Sequence, residues 1–401
     1  MNPQIAELIR QDMAHLPVEA HDASEGIPLV VPGYGADEVI GAVEALVSTH
    51  VTMGARVRAF EAAWAAYCGR SEAVMVNSGS SANLILLAAL VEIGRLSPGD
   101  EVLVPAVSWS TSLFPVAQAG LVPVMVDVDP ATLCIDPASA RAAASARTKA
   151  VLAVHLLGQP ADMAAFDGLL VLEDACGAHG ARYHGKIVGS VGHAAAFSFF
   201  FSHHITTIEG GIVVTGDVEL ADAMRSMRAH GWSRERKDRA KLEAASPEID
   251  PRFLFVSSGY NLRPTEVAGA FGLRQLQRLP AWVQRRRANH SDWCEKLAGL
   301  ATVFPEAPGT EHAGFAFPML IDGSRAALSA LLEAERIETR PISGSNLARQ
   351  PAFSRLHARA AVPLPVSDAV HERGMFIGNS HAFGPAHGDR LAAVVRRWRQ
   401  G

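Results

Sequence analysis

Between Glu72 and Thr215, short unbroken apolar runs alternate with longer stretches whose apolar residues recur at helical spacing. A run that is apolar throughout fits a strand covered on both faces, and the longer stretches fit helices packed on a sheet. The spacing predicts strands at 72–76, 101–105, 122–128, 150–155, 169–173, 197–201 and 211–215. It predicts helices at 36–48, 57–68, 82–96, 110–120 and 137–144. Strand–helix alternation of this length implies an α/β fold with a large, mostly parallel sheet and right-handed crossovers.

From about Leu273 the texture changes. An Arg-rich helix is expected at 284–300, a strand near 315–321 and a helix at 326–334, which suits a smaller α+β domain. The expected organisation is an N-terminal leader over 1–30, a large α/β domain over 31–272 and a small C-terminal α+β domain over 273–401. A chain of 401 residues has room for one large core and a second, smaller one.

Composition narrows the function classes. Hydrophobic residues make up 49% and charged residues 19%, enough to bury a sizeable core, so wholesale disorder is excluded. The 36 Lys and Arg against 41 Asp and Glu give a net charge of −5, so no basic field is present to hold nucleic acid. The four cysteines stand far apart, at 68, 134, 176 and 294, with no CxxC pair. A zinc ribbon, a redox pair and an iron–sulfur cluster all lack ligands. The N-terminus has no long apolar stretch, and no segment approaches the ~20 apolar residues of a membrane span. A cytoplasmic protein is expected.

Four places could carry chemistry. Ser78-Gly79-Ser80-Ser81 lies between a strand and a helix, where amide groups and hydroxyls suit a phosphate, although a serine there is also an ordinary helix cap. Asp174 closes an apolar strand, at the end where ligands bind in open α/β sheets; it could pair with a protonated ring nitrogen or cap a helix. Trp109 follows a strand too, and could stack on a planar ligand or pack in the core. The segment from Phe197 to Gly211 is the most informative. Its adjacent His203 and His204 cannot both join one core face, and one of them suits acid–base work near neutral pH. A metal site is the competing reading, but no further ligands at suitable spacing accompany the pair.

These words, in this order, resemble a known family: SGSSAN after a strand, then PAVSW, EDAC, FSFFFSHHITTIEGG and Gly259-Tyr-Asn-Leu-Arg-Pro264. They are similar to the DegT/DnrJ/EryC1/StrS sugar aminotransferases, over about Met53 to Asn379. The resemblance implies the aspartate-aminotransferase fold (fold type I) and pyridoxal phosphate as cofactor. Most members hold a lysine where His203 stands, and that lysine carries the cofactor covalently. This chain has only five lysines, at 149, 186, 237, 241 and 296, and none falls in that turn. Histidine there resembles the sugar 3-dehydratase branch of the family.

The resemblance also implies roles. Gly79, Ser80, Ser81 and Ser198 would hold the cofactor phosphate, with Asn261 reaching it from the neighbouring subunit of a homodimer. Asp174 would face the pyridine nitrogen and Trp109 the ring. His203 would be the base. Arg263 and Arg340 would grip the carboxylates of L-glutamate, which converts pyridoxal phosphate to pyridoxamine phosphate; His230 and Arg234 would be further active-site groups near the substrate. The implied reaction is C3 deoxygenation of a nucleotide-linked 4-keto-6-deoxy sugar. The alternative is an aminotransferase or lyase acting on another keto substrate; a third class is a cofactor-binding protein without turnover. No metal, membrane or nucleic-acid partner is expected.

Overall fold

The apolar runs form an eight-stranded sheet in the computed structural model, which describes residues 1–400. The strands, in chain order, are β1 (Glu72–Val76), β2 (Glu101–Pro105), β3 (Val122–Val126), β4 (Thr148–Val154), β5 (Leu170–Asp174), β6 (Arg182–Tyr183), β7 (Lys186–Ile187), β8 (Ala194–Ser198), β9 (Gly211–Thr215), β10 (Thr302–Val303), β11 (Thr310–Glu311), β12 (Ala316–Leu320), β13 (Thr339–Arg340), β14 (Arg359–Ala360) and β15 (Gly374–Gly378). The large sheet has the order β1-β9-β8-β5-β4-β2-β3-β14. Only β9 runs against its neighbours; β8, β5, β4, β2, β3 and β14 pair in parallel.

Both faces of this sheet are covered, which is why its strands read as unbroken apolar runs. Val74 and Val76 of β1 pack with the helices Gly79–Glu92 and Val218–Met227. Ala73 and Met75, pointing the other way, join Phe60 and Trp64 of helix Ala55–Cys68 and Trp282. The period of two along a strand sets this division. The smaller sheet, β10-β12-β15-β13, is antiparallel and closes over its own core, which includes Phe317, Leu328 and Ile377.

One strand expectation shifts. The strand expected at 197–201 is at 194–198. Its Ala194-Ala-Ala run is buried against the cores on both faces of the sheet, while the later phenylalanines divide: Phe197 and Phe199 are buried and Phe200 and Phe201 turn outward. The domain boundary expected at 272/273 falls inside one continuous helix, Glu266–Leu297. That helix is capped by Thr265, and its Glu266 carboxylate accepts from the amides of Gly54 (2.8 Å) and Val57 (2.9 Å) at the start of helix Ala55–Cys68, where negative charge is favoured. Residues 1–30 comprise helix Pro3–Met13 and loop, and Ile27 is fully buried and forms a bridge with Ile337 of the small layer.

Candidate active site

The carboxyl ends of β4, β5 and β8 open onto a cleft of about 750 Å³. Gly79, Ser80, Trp109, Asp174, Ser198, His203 and Arg340 all line it. Ser78 caps helix Gly79–Glu92 by accepting from the Ser81 amide at 3.1 Å, which leaves the first amides of the helix without intrahelical partners. Gly79 must be glycine: a Cβ there would lie 2.4 Å from the Ser198 Cβ and 2.8 Å from its hydroxyl oxygen. The close approach brings the helix start and the Ser198 hydroxyl to one point.

Asp174 ends β5, buried at the cleft floor. Its Oδ2 accepts from Ser112 Oγ at 2.6 Å and Asn83 Nδ2 at 2.8 Å, and its Oδ1 from the Cys176 amide at 3.2 Å. The carboxylate is thus fixed in one orientation. Its neighbour Glu173 points to the opposite side, where it takes the amides of Gly189 (2.7 Å), Val191 (3.1 Å) and Gly192 (2.6 Å) and the His155 ring (3.1 Å). Burial pulls the Glu173 pKa upward, but the His155 bond and those amides hold it below the ordinary value. Burial also raises the Cys176 thiol well above its usual range, with Asp174 adding to the effect.

His203 is presented by a hydrogen-bonded excursion between β8 and β9. Phe199 N donates to Gly210 O (2.8 Å), Thr207 N to Phe199 O (3.0 Å) and Thr206 N to Gln275 Oε1 (3.1 Å). The His203 ring packs edge-on against Phe315, with centroids 5.1 Å apart. Burial, and after it the nearby Arg286 guanidinium, pushes its pKa down to about 3, so the imidazole is neutral and one ring nitrogen carries a free lone pair. His204 is buried and does not line the cleft; it bonds to Ala313 O and to His179. No lysine lines the cleft among the described residues.

Five expected residues do not line this chain's cleft. Ser81 lies just behind it, its hydroxyl 2.9 Å from that of Ser78, because the first turn of the helix rotates it away. Asn261 is exposed and accepts from Arg263 Nε at 2.9 Å. Both flank Leu262, whose carbonyl accepts from the Asn77 amide at 3.1 Å, so the backbone passes beside the helix start while the two side chains lie outside the cleft. His230 sits at φ 65 in a tight turn with Gly231, whose Cβ would fall 1.8 Å from Ser257 O. Arg234 is exposed, its guanidinium 4.5 Å above the Trp232 ring. Sequence reasoning did not pick out Ser112, Asn83, Glu209, His179 or Phe315, and it noted His155 only as an unusual residue in the HLLGQP segment. Asn83 carried a signal, being one polar residue in the apolar helix run Ala82–Leu90.

Comparison with known proteins bears directly on this cleft. Residues 34–396 match the DegT/DnrJ/EryC1/StrS aminotransferase family. The chain belongs to that family. It is 38% identical over 360 residues to a GDP-4-keto-6-deoxy-D-mannose 3-dehydratase of Yersinia pseudotuberculosis, covering 86% of this chain and 91% of that one. It is 37% identical to a dTDP-4-dehydro-2,6-dideoxy-D-glucose 3-dehydratase of Saccharopolyspora spinosa, covering 85% of this chain and 80% of that one. Among solved structures, GDP-4-keto-6-deoxymannose-3-dehydratase superposes with a TM-score of 0.87 at 34% identity, covering 92% of this chain and 100% of that one. This holds both for a variant with bound GDP-perosamine and for a complex with a trapped PLP–glutamate geminal diamine. The chain has the fold of the pyridoxal-phosphate aminotransferases and is a pyridoxal-phosphate-dependent enzyme of this family. The residues present fit that cofactor: a helix start and hydroxyls for a phosphate, a carboxylate for a pyridinium nitrogen, and an indole beside the space between them. Among the described residues, no helix is long and apolar enough to cross a membrane.

Proposed function

We propose that this enzyme removes the C3 hydroxyl of a nucleotide-linked 4-keto-6-deoxy sugar, with pyridoxal phosphate as cofactor and L-glutamate as amine donor. The observation that carries the reading is His203 in the cleft with no lysine beside it. The bound cofactor supplies an electron sink conjugated to the carbon that bears its amine.

Gly79, Ser80 and Ser198 would bind the phosphate, supported from behind by Ser81. Asp174, fixed by Ser112 and Asn83, would keep the pyridine nitrogen protonated through a charge-assisted bond. Trp109 would cover the ring. With no amine available for a covalent tether, these contacts carry the whole hold on the cofactor. His203 would take the proton from the carbon beside the amine and return it to the departing C3 oxygen. Arg340 would receive a carboxylate of glutamate through its planar fork. Asn261, Arg263, His230 and Arg234, exposed or outside the cleft, would serve the site of a second copy in a homodimer.

The overall reaction balances: glutamate leaves as 2-oxoglutarate and ammonia, supplying two electrons, and the sugar loses one oxygen. Product mass after incubation with glutamate and a panel of GDP-, CDP- and dTDP-linked 4-keto-6-deoxy sugars tests this. The expected product has lost oxygen at C3. A product that keeps that oxygen and gains an amine would establish an aminotransferase instead.

A further inference from the structure

Behind His203 lie two imidazoles whose hydrogen bonds can be followed atom by atom. His204 Nε2 is 3.0 Å from the Ala313 carbonyl oxygen. A carbonyl only accepts, so this nitrogen carries the proton. Burial, followed by the Arg286 guanidinium, keeps the His204 ring neutral, so its Nδ1 bears a lone pair. That atom is 3.2 Å from His179 Nδ1, which must then be the donor. His179 is also neutral, through burial first and then its neighbour His203. Its Nε2 is therefore a bare acceptor, buried and without a hydrogen-bond partner among the described residues. His203 Nδ1 is likewise buried and unpartnered. The two rings meet edge to face with centroids 6.0 Å apart.

We propose that His179 is a positioning residue for His203: its bare Nε2 accepts the Nδ1–H of His203 after a small ring rotation, leaving the His203 Nε2 lone pair for the reacting carbon. The proposal rests on His203 being the base. Two unpartnered buried nitrogens on neighbouring rings are costly apart and satisfied together. When His203 gains a proton, the same bond becomes charge-assisted and steadies the cation. The surroundings are defined from each side. The Ser198 main chain faces His179 from β8, Arg286 faces all three rings from helix Glu266–Leu297, and Phe315 packs on His203 and His204. No carboxylate is among the groups that shift these rings. A neutral acceptor orients the base without attracting a proton onto it in advance, as a carboxylate would.

Nitrogen-15-labelled histidine in the cofactor-free protein tests the assignment through the ring nitrogen–proton couplings, independently of any turnover. The expected tautomers are Nε2–H for His204, Nδ1–H for His179 and Nδ1–H for His203. Protonation of His179 at Nε2, or of His203 at Nε2, overturns the proposal. His179→Phe keeps an aromatic ring among Trp64, Phe197 and Phe199. It should shift His203 toward the Nε2–H tautomer and lower kcat on the order of 10–100-fold, by analogy with the loss on removing the outer partner of a metal-bound imidazole, with KM for the sugar changed less than about twofold. His179→Gln restores an acceptor and should recover part of the loss. A His179→Phe enzyme with unchanged kcat and an unchanged His203 tautomer would sink the idea. The expected tautomers in a protein that dehydrates no sugar would support the ring assignment and count against the functional reading alone.

Discussion

Residues 199–210 and residues 228–263 both set histidine or arginine in apolar company, yet the first stretch holds its histidines inward, with Phe201 and Ile208 exposed around them, and the second sets Arg234 and Asn261 outward. In the first, Thr206 bonds to Gln275 of helix Glu266–Leu297 and His204 to Ala313 between β11 and β12, and the Phe199–Gly210 bond closes the base of the stretch. In the second, the anchors are few and spaced: buried Arg228 donates to Glu61 at 2.6 Å and to Glu235 at 2.8 Å, the Lys237 amide donates to Asp222 at 3.0 Å and the Leu262 carbonyl accepts from the Asn77 amide at 3.1 Å. Between them, Arg234 and Asn261 are exposed, and Phe253 and Phe255 are 59% and 52% exposed. Residue type alone does not distinguish the two stretches; the partners within the chain do. A site residue held by its own chain can work there, whereas polar groups rimmed by exposed aromatics suit an interface with another copy.

The sharpest way to break this contrast is to remove the base. His203→Asn should lower turnover on the order of 100–10,000-fold, the usual contribution of a positioned acid–base group, while cofactor absorbance shows that pyridoxal phosphate is still held. Unchanged turnover would mean that the inward stretch is not the reacting one.

The second test asks whether the outward stretch serves another copy. An Asn261→Ala, Arg263→Ala double variant should be inactive by itself, and so should His203→Asn. Refolded together in equal amounts, half the dimers carry one intact site, so activity should return to about a quarter of wild type. A mixture as inactive as its components would place both defects in the same site.

The sequence disclosed some of this and hid the rest for definable reasons. β1, β2 and β9 are at their expected positions because each is a short apolar run closed by a turn. Asp174 stood out as an acid ending such a run. The strand near Phe197 slipped by three residues because alanines are silent in a hydrophobic pattern while phenylalanines are loud, yet the alanines are the fully buried strand residues. Ser112 gave no sign, since a hydroxyl in a first helical turn reads the same whether it caps the helix or holds a carboxylate. His179 was hidden for a deeper reason. Its partner His204 lies 25 positions away, and no local spacing encodes a contact between the segments that follow β5 and β8.

The mildest test concerns acid. The buried rings His179 and His204 are pushed well below the ordinary histidine value of 6.5, by burial above all. In the unfolded chain they take up protons as pH falls through that value, and in the folded chain they do not. The unfolded state therefore binds more protons, and stability drops as pH falls below about 6.5. Each such ring should cost about 2 kcal/mol between about pH 7 and about pH 5. Urea midpoints measured across that window should fall steeply for the wild type and less steeply for His204→Gln, which keeps a donor for Ala313 O but has nothing to titrate. Arg234→Ala alters the outward stretch without touching any group that titrates there, and its slope should match the wild type. Equal slopes for His204→Gln and the wild type would mean that the rings behind His203 open to water before the chain unfolds, and the inward stretch would lose the rigidity on which the contrast depends.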